Sequence, residues 1–327
     1  MQSKTQIIGI TTTVPSEILY AANFIPVDLN NIFIANENPD KFVEKAEIIG
    51  FPGNSCAWIK GIFSAVKSEN IKTVIAPVWG DCSNTHALCE VLKTYGINII
   101  EFAYPYDYSL QKLKLEMNFL FDKFNINEKS VFEWKKKLDI IRKKLKTLDK
   151  MTVDGKISGK DNHLWLVNSS DFYGNPEKFD NELDEFLKTN DNINKYDDFK
   201  RIGVMGVPSI WSNFYDILEE NKAHVVYNEV QFEFSMIKSI ETDFYNQYIN
   251  YTYPYGMDFR LKEIIKQMKE RDIQGLIHYT QCFCFRQIED ILVKNNINIP
   301  VLTLEGDKPG EVDARTKMRI ENFMDII

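Results

Sequence analysis

The chain has 327 residues, 44% of them hydrophobic and 26% charged, a composition ordinary for a soluble globular protein and a length that suits two compact units better than one core. Its 39 Lys+Arg against 47 Asp+Glu leave a formal net charge of −8, which gives no electrostatic reason to seek nucleic acid or an anionic membrane. No run approaches the ~20 apolar residues of a membrane span, and the apolar stretch near the start, 7–10, is too short for a signal peptide; a cytoplasmic location is expected, with the cysteines as reduced thiols and not a disulfide framework.

Strand and helix signals alternate from the start. Residues 6–10 read as a strand, 16–22 and 56–67 as helices, 73–78 as a buried strand rich in β-branched residues, 85–95 as a helix and 97–102 as a strand. From 110 to 148 the pattern is helical: Trp134, Leu138, Ile141, Leu145 and Leu148 recur at steps of four and three, which places them on one helix face. The basic stretch 135–146 then reads as the solvated face of that helix. A polar stretch, 181–198, leads back to the first rhythm. Strands at 201–207, 223–227, 275–279 and 301–304 alternate with helices at 211–221, 259–271, 285–294 and 314–326. Such alternation predicts parallel sheets covered on both faces. The expected organisation is α/β throughout, with halves 1–108 and 198–327 joined by a helical segment, 109–197. No sequence repeat relates the halves.

The five cysteines are Cys56, Cys82, Cys89, Cys282 and Cys284. No C-x-x-C occurs, so neither a zinc ribbon nor a ferredoxin-type run is present. Position says more than spacing. Cys56, Cys82 and Cys284 each fall between a strand or turn and the start of a helix, where open α/β sheets place ligands and where free N–H groups favour a thiolate. Cys89 lies inside a helix and reads as a small core residue. Cys282 is two residues from Cys284, so in extended chain both face one way. Two rival readings stand beside a metal cluster: five buried thiols without metal, or zinc on Cys82, His86 and Cys89 in a C-x3-H-x2-C pattern. His86, one helical turn after Cys82, is the candidate proton source or hydrogen-bond donor near such a site. Thr11, Thr12 and Thr13 follow the first strand and offer hydroxyls to the same crevice. His278 reads as a core histidine, His163 and His224 carry no signal, and the region 203–206 lacks the G-x-G-x-x-G order of a dinucleotide site.

Several of these segments resemble the 2-hydroxyacyl-CoA dehydratase and benzoyl-CoA reductase family. Val14-Pro15-Ser16-Glu17-Ile18, then Ala21-Ala22 and Pro26-Val27, resembles its P-x-E-[IL] and A-A-G-x-x-P-V segments, with Asn23 in place of the usual glycine. Cys56-Ala57-Trp58-Ile59-Lys60-Gly61 resembles its first cluster cysteine and trailing helix. Ile75-Ala76-Pro77 leads to Cys82 as to the second, although here Asp81 precedes the cysteine where the family usually has C-D. Gly206-Val207-Pro208, Phe283-Cys284, Pro300-Val301-Leu302 with Glu305 and Asp307, and Arg319-Ile320-Glu321-Asn322-Phe323 resemble its later motifs. The resemblance implies two Rossmann-like domains with a [4Fe–4S] cluster between them, held by Cys56, Cys82 and Cys284 and leaving one iron open. It implies a lyase or reductase fed single electrons by an ATP-hydrolysing iron–sulfur activator protein and acting on a small molecule such as a CoA thioester; the alternatives are an iron–sulfur electron-transfer or cluster-handling protein without its own substrate, or a metal-free small-molecule binding protein. A second family subunit or a homodimer is the implied assembly. A double cubane needs more thiolates than five, so a single cubane is expected, with Cys282 and Cys89 as lesser candidates.

Overall fold

A computed structural model describes residues 6–80, 82–190 and 195–327. Asp81 and part of the polar stretch 181–198 lie outside the described residues. Two four-stranded parallel sheets form the frame. The first contains β1 (Gln6–Ile10), β2 (Phe24–Asp28), β3 (Thr73–Trp79) and β4 (Asn98–Ala103) in the order β2-β1-β3-β4. The second contains β5 (Lys200–Gly206), β6 (Ala223–Asn228), β7 (Gly275–Gln281) and β8 (Val301–Gly306) in the order β6-β5-β7-β8. The two orders are the same, so the halves share a Rossmann-like topology without sharing a sequence repeat. In each sheet the winding reverses between the first and third strands, which opens a crevice at their C-terminal ends.

β2 was not foreseen, and Pro26 is the reason. Proline cannot donate to a sheet ladder, so it marks a run as an edge strand at best. β2 is such an edge, paired only to β1, with Pro26 opposite Ile8. The segment between β6 and the helix Met257–Glu270 was also unread. It holds two short helices, Glu229–Phe234 and Phe244–Ile249, whose buried faces mix aromatic with charged residues and so show no hydrophobic period.

Among the described residues, four α-helices link the sheets: Leu110–Phe124, Glu128–Val153, Gly159–Val167 and Pro176–Thr189. In the longest, Leu138, Ile141, Leu145 and Leu148 are buried, and Trp134 stacks on Tyr20 at 4.9 Å between ring centroids. The expectation of a wholly solvated basic face needs correction at Arg142. That side chain is buried, and Nη1 donates to Glu17 Oε1 at 2.6 Å and to Asp139 Oδ1 at 3.0 Å. The hydroxyl of Tyr248 donates to Glu17 Oε2 at 2.6 Å. A buried ion pair thus ties the helix Ser16–Ala21 to the long helix and to the second half of the chain. Lys135, on the same helix, pairs with Asp139, and Lys144 pairs with Asp180 and Asp184.

The helices Leu29–Ile34 and Ala57–Ser68 cross at Gly61. A Cβ there would lie 2.3 Å from the ring of Phe33. Because Phe33 is fully buried, the ring cannot swing aside, and Gly61→Ala is expected to destabilise the protein by about 1–3 kcal/mol, read as a lower denaturant midpoint.

Candidate functional site

Both crevices open onto one cleft with an empty volume of about 970 Å³, part of it open to solvent. Residues after β1, β3, β5 and β7 line it, among them Thr11, Cys82, Ser209 and Cys284. Cys56 joins them from the start of a helix. Three cysteines far apart in the chain therefore border a single space.

Each is positioned by local structure. Cys56 occupies the N-cap of Ala57–Ser68. The turn before it is pinned by Lys60, whose buried Nζ donates to Gly53 O at 2.9 Å and Glu47 Oε1 at 2.7 Å. Burial pushes the Cys56 thiol up to about 11, the amides of Ile59 and Trp58 pull the other way, and nearby Cys284 adds to the rise. Such a thiol stays protonated at neutral pH until a cation takes the place of its proton. Cys82 lies between β3 and the helix Asn84–Thr94, its carbonyl accepting from Thr85 N at 2.9 Å. The preceding turn needs Gly80: φ is +86°, and a Cβ would come within 2.9 Å of both Tyr104 and Pro254. Asp81, the acid noted beside Cys82, lies outside the described residues.

The Cys284 region departs from expectation. The foreseen helix 285–294 is a single 3-10 turn, Phe285–Gln287, followed by the helix Asp290–Asn296. Arg286 is drawn inward, donating to Tyr253 O at 3.1 Å and to both Glu289 oxygens at 3.2 Å, with its guanidinium 4.2 Å from the Tyr253 ring centroid. Phe283 has φ +64°, so the chain is not extended between Cys282 and Cys284. Cys284 borders the cleft, whereas the Cys282 thiol donates to Glu305 Oε1 at 3.1 Å. Cys89 is buried beside Leu88 and Leu92 in the hydrophobic core, and His86 is exposed outside the cleft lining. Among the described residues no three His, Cys, Asp or Glu side chains gather closely enough for a metal ion. The zinc pattern on Cys82, His86 and Cys89 therefore has no geometric support.

A single ion ~2.3 Å from each sulfur draws its thiolates to within about 4.5 Å of one another. A four-iron cube puts its own atoms between them and suits thiolates spread around a larger space. Three thiols bordering a roomy, mostly apolar cleft are chemically the donors such a cube takes.

Three polar residues of the cleft escaped sequence reasoning. Asp28 ends the unread β2. Its Oδ1 accepts from Asn30 and its Oδ2 from Ser170, while its own amide donates to Asp171 Oδ2 at 2.7 Å. His163 arrives from the linking helices, with Nδ1 2.6 Å from Gln231 Nε2, and burial lowers its pKa to about 4, leaving it neutral. Only Arg286, two residues beyond Cys284, carried a usable positional signal. The acids also imply a pH effect. Burial first, then the neighbouring Asp28, raises Asp171 from 3.8 to about 7. A carboxyl raised in the folded state stabilises fully below its ordinary value and less as the pH climbs through the raised one. Melting temperature is expected to fall between roughly pH 4 and 7 on this account, and Asp171→Asn to flatten that fall; an unchanged profile in the variant contradicts it.

No helix among the described residues is long and apolar enough to cross a membrane. No curated protein matches the chain. The family described as 2-hydroxyglutaryl-CoA dehydratase, D-component, matches residues 11–327. That span runs from the first threonine of the cleft to the last residue and takes in every cysteine, so the chain belongs to the 2-hydroxyglutaryl-CoA dehydratase D-component family.

Proposed function

We propose that the chain is the iron–sulfur subunit of a 2-hydroxyacyl-CoA dehydratase-type enzyme, with one [4Fe–4S] cluster on Cys56, Cys82 and Cys284. The observation that carries this reading is that Cys56, Cys82 and Cys284 line one cleft at the switch points of both sheets. When bound, the cluster supplies single electrons and an iron coordination position not filled by cysteine. The chain's own residues do the rest. The amides of Trp58 and Ile59 favour the thiolate of Cys56. Ile59, Ile62, Val167 and Phe234 wall the cleft and exclude water. An outer groove adjoins the inner cleft at Ile34, His163 and Ser209, which gives a long substrate such as a CoA thioester a path for its tail.

Electrons would come from an ATP-hydrolysing iron–sulfur activator in the cytoplasm. Around Cys284, the side chains of Phe283, Phe285, Ile288, Ile291 and Leu292 are exposed, an apolar surface of the kind partners cover. A second family subunit or a second copy of this chain would complete the assembly. The test is anaerobic incubation of the protein, its activator and ATP with a panel of 2-hydroxyacyl-CoA thioesters. The expected result is ATP-dependent release of water to give the 2-enoyl-CoA. No product from any thioester, with cluster-loaded protein and an active activator, removes the substrate class.

A further inference from the structure

We propose that the inner cleft takes an uncharged, apolar acyl group and grips its carbonyl oxygen through Thr11, Asn31 and Trp58, so that a dicarboxylic acyl group is disfavoured. The inference rests on the thioester reading above and names its substrate class.

Thr11, Asn31 and Trp58 border the cleft, and their Oγ1, Nδ2 and Nε1 atoms are buried with no hydrogen-bond partner among the described residues. Thr11 is only 3% exposed. A buried polar group left unpaired is costly, so three of them around one space call for a hydrogen-bonding partner to fill it. Indole and amide nitrogens only donate, and a hydroxyl can donate. Their common complement is an acceptor oxygen. The helix crossing at Gly61 holds two of the donors in place, since Asn31 and Trp58 belong to the two helices that meet there.

Charge decides which kind of acceptor. The acidic and basic side chains of the described lining are Asp28 and Arg286. Burial raises the pKa of Asp28, and in either protonation state it offers a carboxylate no cation. Arg286 is already committed to both oxygens of Glu289 and to the Tyr253 carbonyl. His163 stays neutral. A distal carboxylate entering here would be desolvated without a cation to pair it, a costly burial. A thioester carbonyl meets the three donors without that penalty, and an aliphatic chain meets Ile59, Ile62 and Val167.

The test is calorimetric titration of the anaerobically prepared, cluster-loaded full chain with isovaleryl-CoA and with glutaryl-CoA. Neither carries the 2-hydroxyl, so binding is read without turnover. Isovaleryl-CoA is expected to bind at least roughly tenfold more tightly. Thr11→Val and Trp58→Phe are each expected to weaken it roughly 3- to 10-fold, with circular dichroism unchanged. Equal or tighter binding of glutaryl-CoA overturns the selectivity and leaves the thioester reading intact. Variants that fold and bind isovaleryl-CoA like the parent overturn the oxygen subsite. Failure of both thioesters to bind removes the thioester reading and this inference with it.

Discussion

Serine at Cys56, Cys82 or Cys284 is expected to strip most of the iron from the anaerobically prepared protein, from about four irons per chain to roughly one or fewer. Serine at Cys89 or Cys282 is expected to leave it in place. The contrast follows from where the thiols lie. Cys56, Cys82 and Cys284 border one cleft. Cys89 is packed between core leucines, and Cys282 is turned toward Glu305 by the left-handed backbone at Phe283. Cysteine and serine are close in size, so a serine at the buried Cys56 position changes the ligand more than the packing. Iron and acid-labile sulfide, measured beside circular dichroism, separate loss of cluster from loss of fold. Equal iron loss in the Cys282 or Cys89 variants would assign the ligands differently.

Arg142→Met is expected to lower stability by about 3–5 kcal/mol, among the largest single effects available in this fold. Burial works against the charge of Arg142, but Glu17, Tyr248 and Asp139 together outweigh it and hold the guanidinium protonated. Removing the guanidinium leaves Glu17, which is 0% exposed, with the Tyr248 hydroxyl but no cation. The cost is chiefly that of the stranded carboxylate. Adding Glu17→Gln to Arg142→Met should therefore recover a large part of the loss, as measured by chemical denaturation. A double variant no more stable than the single one would show that packing, and not charge, dominates at this position.

These two sites differ in how far the chain announced them. The places of Cys82 and Cys284 after strands, and of Cys56 at a helix start, were legible because a parallel sheet has few places to put a ligand, and strand ends can be read from short apolar runs. The face of the long helix was legible from its period. Arg142 was not, because a basic residue among lysines looks solvated until the partner is known, and Glu17 lies 125 residues away. Asp28 was hidden with β2, whose proline argued against a strand. His163 belongs to a linking helix with no local signal; only the folding of that helix over the second sheet brings it to the cleft. The shared strand order of the two halves was hidden for a related reason. Buried strands tolerate many apolar sequences, so one topology can be written twice without a repeat.

The proposed function stands or falls with a four-iron cluster on this chain. Anaerobic reconstitution with iron and sulfide, followed by iron and sulfide analysis and electron paramagnetic resonance of the reduced protein, tests it most directly. The expected result is a brown protein with about four irons and four sulfides per chain and a cluster signal that is lost when Cys56, Cys82 and Cys284 are all replaced by serine. A colourless, iron-free protein after reconstitution, or a cluster signal that survives the triple replacement, would contradict it.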